Sequence, residues 1–227
     1  MSFVFPPPAP AAVAIIGRTE RFPVHRIYCV GRNYAAHARE MGKDPEREAP
    51  FFFTKPADAI VASGTHIPFP SRTADLHHEI ELVVAIGTGG ANIGISQALS
   101  HVFGYAVGID LTRRDLQAQA KDQGRPWDTA KGFDRSAPIG AITPAAAARL
   151  DESEIRLKVN GTLRQRGALA DMIWSVPEII AELSTLFELA PGDLIYTGTP
   201  AGVAAIKPND LLEGGIDGLE TLEVTLV

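Results

Sequence analysis

A chain of 227 residues with a formal net charge of −6 and 45% apolar residues suits one domain with a sizeable core, and its apolar fraction excludes disorder. The basic residues form no block or stripe, which argues against a nucleic-acid partner. No apolar run approaches the roughly 18 residues a membrane helix needs, so no membrane association is expected.

The stretch 1–12 is rich in proline and alanine, lacks a positive leader, and reads as an extended, polyproline-like arm. Apolar runs at 13–16 and 27–30 suggest strands. Cys29, the single cysteine, sits in the second of these runs. It cannot form an intramolecular disulfide, which fits a reducing cytoplasm, and its surroundings read as a packed core thiol. Residues 33–41 permit a helix that Gly42 would stop. A short strand at 51–54 precedes Pro56, and 58–62 is expected to continue it. Residues 78–86 alternate polar and apolar and then turn wholly apolar, as in a strand entering a core. A second buried strand at 102–109 ends at Asp110. A helix follows, with Thr112 expected as its N-cap and Gly124 as its stop. Residues 155–169 read as a hairpin about Asn160-Gly161. Ser175 and Glu178 have capping-box spacing for a helix to 187. A strand then enters the loop 197–202, TGTPAG, and another strand ends the sequence. Strands without regular βαβ alternation favour a β-rich α+β fold.

The sharpest chemical signal is His77-His78-Glu79-Ile80-Glu81. Residues two apart on a strand face the same way, so Glu79 and Glu81 project together beside an apolar face. Buried unpaired, such carboxylates cost several kcal/mol or shift their pKa values strongly, and a divalent cation relieves this. Spacing alone favours the other reading, a solvent-facing edge strand with two harmless acids. Asp110, at the end of the second strand, completes an all-oxygen set suited to Mg²⁺ or Mn²⁺ rather than Zn²⁺; alternatively it is an acid at a helix start, stabilised by the dipole. His77 and His78 face opposite ways, so this segment gives little support to a two-histidine iron site. Arg114 and Gln117, three apart on one helical face, could grip a carboxylate and donate to an oxyanion, or could form a solvated face. His37 and Glu40 have the spacing of a general base and its orienting acid, although taken alone the spacing favours a surface pair. The loop 197–202 lacks the ending of a phosphate loop, and no Gly-x-Ser-x-Gly elbow is present.

Six segments in order, CVGRNYAAHARE (29–40), FFFTKPADAIV (51–61), DLHHEIELVVAIG (75–87), GYAVGIDLTRRDLQ (104–117), AKGFDRSAPIG (130–140) and GDLIYTGTPAGV (192–203), resemble the fumarylacetoacetate hydrolase family, most closely its short acylpyruvase branch. The resemblance implies a mixed-sheet β-roll, a homodimer, and two parts: an arm and hairpin at 1–25 and a catalytic domain at 26–227. It also implies that Glu79, Glu81 and Asp110 hold the metal and that His37 and Glu40 activate water on a lid segment. Lys131, Arg114 and Gln117 then bind substrate or stabilise developing charge, and Thr199 falls in the substrate loop. Arg32, Arg39 and Lys55 are candidates for pairing with a second substrate carboxylate, or are surface charges. Large members of the family have a further N-terminal domain and a further metal carboxylate, and neither has an assigned counterpart here. The implied activity is metal-dependent hydrolysis of the carbon–carbon bond of an acylpyruvate, with fumarylpyruvate, giving fumarate and pyruvate, as the favoured substrate. The alternatives are oxaloacetate decarboxylation, isomerisation or decarboxylation of a dienoate, or non-catalytic binding of an oxo acid.

Overall fold

The computed structural model describes residues 2–35, 48–150 and 152–227. The protein is β-rich, with 38% of residues in strands and 18% in helices, and its main sheet curls into a half-barrel, as the resemblance implied. That sheet runs in the order Phe51–Lys55, Ile27–Gly31, Leu194–Tyr196, Ile80–Ile86, Val102–Ile109, Ala137–Ile139, Ile60–Ala62. It is mixed: Leu194–Tyr196 lies parallel to Ile27–Gly31 and antiparallel to Ile80–Ile86. A second sheet, ordered Thr162–Ala168, Glu154–Val159, Leu211–Ile216, Leu222–Leu226, Thr65–Ile67, packs against it.

Ile80–Ile86 is buried along its whole length because both of its faces meet core. Ile80, Leu82, Val84 and Ile86 join the large apolar cluster that includes Ile155, Leu157 and Leu212 of the second sheet. Val83 and Ala85 point the other way, into a smaller cluster with Val13, Phe22, Ile27 and Cys29. Cys29 is fully buried, as expected of a core thiol.

Several local expectations hold. Asn160 and Gly161 both take positive φ in the turn joining Glu154–Val159 to Thr162–Ala168, as a type I′ hairpin requires. Ser175 and Glu178 form the capping box of the helix Val176–Leu186, with proline in its first turn.

Two expectations fail. Residues 60–62 do not continue the strand at 51–55. A 3₁₀ turn, Ala57–Ala59, intervenes, and Ile60–Ala62 pairs at the opposite edge of the sheet. Thr112 is not a cap but lies in the short strand Thr112–Arg113, paired with Leu76–His77, and Arg113 precedes the helix Arg114–Asp122. The expected helix at 33–41 falls largely outside the described residues. No helix among the described residues is long and apolar enough to cross a membrane.

Candidate metal centre

Antiparallel pairing of Ile80–Ile86 with Val102–Ile109 sets Ile80 opposite Ile109 and Glu81 opposite Gly108. The residues flanking those pairs, Glu79 and Asp110, are joined by a backbone hydrogen bond from the Asp110 N–H to the Glu79 carbonyl at 2.8 Å. This register, set by apolar alternation, carries three carboxylates to one end of the sheet. One oxygen each from Glu79, Glu81 and Asp110 lies within 4.8 Å of the others, and all three residues are buried. The expected all-oxygen set is therefore assembled, and a hard divalent cation matches these donors.

The carboxylates are unequally served. Lys131 Nζ donates to Glu79 Oε2 at 2.9 Å, Asp110 Oδ2 at 2.6 Å and the Thr112 hydroxyl at 2.6 Å. Arg114 Nη2 donates to Glu79 Oε1, and Lys55 pairs with Asp110 Oδ1 at 2.8 Å. Glu81 instead accepts the Gly198 N–H at 2.8 Å. Burial, then the charges of Asp110 and Glu79, push the Glu81 carboxyl well above the usual carboxylate range. Burial pulls the Lys131 ammonium down, but Asp110 and Glu79 more than reverse this and hold it above the usual lysine range. A divalent cation fits this set because it would favour the ionised form of Glu81.

The glycine-bearing loop reaches Glu81 because its path is pinned. The Thr197 N–H and hydroxyl both donate to the Leu82 carbonyl, each at 3.0 Å. Asn33 Nδ2 donates to the Thr197 carbonyl at 2.8 Å. Gly198 has φ +97°, and a Cβ there would stand 2.7 Å from the Asn33 Cβ. Only glycine fits that position without strain.

A cleft opens over the carboxylates, lined by Glu79, Glu81, Arg114, Gln117, Lys131 and Thr199, with Arg32, Lys121, Phe51 and Trp127 among the residues around them. Arg114 Nη1 donates to Gln117 Oε1 at 2.6 Å, which leaves the Gln117 amide NH₂ as a donor. Arg32 lies over the Phe51 ring at 5.2 Å and Lys121 over the Trp127 ring at 5.1 Å, and the two rings meet edge to face. Burial, followed by Arg114 and Arg32, pulls the Lys121 ammonium below its usual range.

Most of the predicted site residues thus share one cleft, but Lys55 departs from expectation. It is buried behind Asp110, and its ammonium is used by Asp110, the Leu111 carbonyl at 3.2 Å and the Lys131 carbonyl. It supports the Asp110 carboxylate and does not line the cleft. His37 and Glu40 lie outside the described residues. The sequence reading missed Gln165, Lys121 and Trp127. Trp127 follows an Arg-Pro pair in a segment without periodicity, and Lys121 sits one helical turn beyond Gln117, the one spacing signal available for it.

A family model described as the C-terminal region of fumarylacetoacetate hydrolase matches residues 26–227. A crystal structure of fumarylpyruvate hydrolase from Pseudomonas aeruginosa in complex with Mn²⁺ and pyruvate superposes with a TM-score of 0.97 at 54% identity, covering 100% of this chain and 99% of that one. Fumarylpyruvate hydrolase of a Ralstonia species is 43% identical over 183 residues, 81% of this chain and 95% of its own length. A mitochondrial oxaloacetate tautomerase of Arabidopsis thaliana is 43% identical over 199 residues, 87% of this chain and 89% of its own length. Three buried carboxylates at the end of a half-barrel sheet, in a chain matched this far along its length, make it a member of the fumarylacetoacetate hydrolase family.

Proposed function

We propose that this chain is a metal-dependent hydrolase of 2,4-dioxo acids, and that fumarylpyruvate, cleaved with water to fumarate and pyruvate, is its substrate. The observation that carries the reading is the convergence of Glu79, Glu81 and Asp110 beneath a cleft rimmed by cations. A dication held by these carboxylates supplies a template for the substrate's carboxylate and 2-oxo oxygen, and a Lewis acid for the negative charge of the departing pyruvate enolate.

The chain's own residues supply the rest. Gln117, oriented by Arg114, offers its NH₂ where the attacked carbonyl gathers charge. Lys131 keeps a positive charge beside the same centre. Thr199 meets the substrate carboxylate from the loop side. By family resemblance, His37 oriented by Glu40 takes the proton from the attacking water. Arg32 and Lys121 have no carboxylate within ion-pairing distance among the described residues. They suit the distal carboxylate of a dianionic substrate such as fumarylpyruvate, and would have nothing to hold in acetylpyruvate. The same reading makes the enzyme a cytoplasmic homodimer serving the breakdown of an aromatic ring.

A second reading is enolisation or decarboxylation of oxaloacetate, supported by the similarity to the Arabidopsis tautomerase. It needs no attacking water. The deciding experiment supplies fumarylpyruvate, maleylpyruvate, acetylpyruvate and oxaloacetate with Mg²⁺ and follows pyruvate release and enol content. Fumarylpyruvate should turn over fastest, and Glu81→Ala should lose bound metal and activity together. Preference for oxaloacetate, with His37→Ala fully active, would favour the second reading.

A further inference from the structure

We infer that Gln165 is a positioning residue: it fixes the Thr199 hydroxyl as a hydrogen-bond donor facing the cleft, where it meets the carboxylate of an oxo acid. The inference rests on the reading of the cleft as an oxo-acid site. Gln165 lies on the edge strand Thr162–Ala168, whose other residues are exposed or partly so, yet it is itself only 1% exposed. A bulge puts it there. Lys158 pairs with Leu163 and Leu157 with Gln165, so Arg164 is the extra residue and the side chains on either side of it change faces. Bulges recur beside active sites because they re-aim a side chain in this way. The loop packs closely on the bulge, since a Cβ on Gly202 would lie 2.2 Å from the Arg164 carbonyl oxygen.

The orientation of the buried amide follows from two partners whose roles cannot change. The Ile80 N–H can only donate, and it meets Oε1 at 3.1 Å; the Pro200 carbonyl can only accept, and it meets Nε2 at 2.9 Å. Nε2 therefore also donates to Thr199 Oγ1, at 2.8 Å. A hydroxyl has one proton, so with a lone pair engaged by Gln165 its O–H is left to donate elsewhere. Thr199 lines the cleft beside Glu81 and Lys131, and an anionic ligand there is the acceptor that this polarity suits.

The same amide oxygen accepts from His78. Because Oε1 can only accept, His78 carries its proton on Nδ1, at 2.8 Å. Its Nε2 is then a bare acceptor, and that buried atom has no hydrogen-bond partner among the described residues. Gln165 thus grips the residues on both sides of Glu79 with its oxygen and the substrate loop with its nitrogen. A residue needed only for packing would be apolar here, since a buried amide is costly unless all its bonds are made.

The test compares Gln165→Glu, Thr199→Val and the double variant. Glutamate keeps an acceptor for Ile80 and His78 but draws the Thr199 proton toward itself. Mn²⁺ affinity, pyruvate affinity of the Mn²⁺-loaded protein, and KM and kcat for fumarylpyruvate are measured on each. Gln165→Glu should weaken pyruvate binding and raise KM about tenfold, with Mn²⁺ affinity within about twofold, as expected for one hydrogen bond to a charged group. Thr199→Val should do the same, and the double variant should be no worse than either. Unchanged pyruvate affinity in Gln165→Glu would overturn the inference. So would effects that multiply in the double variant, or loss of Mn²⁺ binding and thermal stability together, which is the mark of a merely structural residue. A wild-type protein that neither binds pyruvate nor turns over any oxo acid would overturn the oxo-acid reading and this inference with it. An active wild type with insensitive variants overturns the inference alone.

Discussion

Lys55 and Lys131 approach Asp110 from two sides, and each belongs to a different part of the problem. Both Lys55 and Asp110 side chains are fully buried, so their pairing at 2.8 Å has no solvent to fall back on. Removing Lys55 leaves Asp110 with Lys131 alone and its second oxygen without a cation, and breaking a buried pair costs up to roughly 3–5 kcal/mol. Lys55→Met should therefore unfold at lower urea concentration by about that amount in the presence of a chelator. The loss should shrink when Asp110→Asn is added, because the under-compensated charge on the second oxygen is then gone. Equal losses in both backgrounds would show that Lys55 stabilises the fold by packing alone. Lys131 differs in lining the cleft, where its charge sits beside the Glu79 and Asp110 carboxylates. Sequence spacing exposed Glu79 and Glu81 because residues two apart on a strand share a face, and Asp110 because an apolar run stopped at it. The placement of Lys55 had no such signal. It depends on Phe51–Lys55 lying at the opposite end of the sheet from Ile60–Ala62, a pairing that local pattern does not encode.

At the scale of elements, the loop after Leu194–Tyr196 is where backbone conformation reaches the chemistry. Gly198 gives Glu81 a hydrogen bond only because its φ of +97° turns the N–H inward, and the Asn33 Cβ leaves no room for a side chain. Gly198→Ala faces both left-handed strain and a clash. It should cost roughly 1–3 kcal/mol of stability and lower Mn²⁺ affinity about tenfold, the value of one hydrogen bond to a charged group. Calorimetric titration with Mn²⁺ and urea unfolding read the two effects separately; normal Mn²⁺ affinity would detach the loop from the metal centre. The loop's glycines were visible in the sequence, and so were the hairpin turn at Asn160-Gly161 and the capping box at Ser175, since each is written within a few consecutive residues. The bulge beside Gln165 was not. Simple alternation puts Leu163 and Gln165 on one face, whereas the inserted Arg164 separates them, and the partners of Gln165 lie at His78 and Thr199, 87 and 34 residues away.

On the scale of the whole molecule, the open matter is how the first 25 residues relate to the rest. The family model matches residues 26–227, and the sequence led us to expect an arm and hairpin before them. Packing nonetheless ties the parts together. The hairpin of Ala12–Ala14 with Arg21–Pro23 sends Val13 and Phe22 into the cluster that holds Val83 and Ala85, two residues of the strand that bears Glu81. Phe22 is 5% exposed and lies 5.3 Å from the Phe103 ring on the neighbouring strand. If the hairpin is part of one cooperative unit, Phe22→Ala should cost roughly 3–5 kcal/mol, the usual range for a buried phenylalanine. The whole unfolding transition, monitored by tryptophan fluorescence and by far-ultraviolet circular dichroism, should move to lower urea as one. Mn²⁺ affinity of the folded variant should stay normal, because the carboxylates lie at the far end of the strand from this contact. A main transition unmoved by the substitution, with an early minor one beside it, would make the hairpin an appendage and leave residues 26–227 as the independent catalytic body.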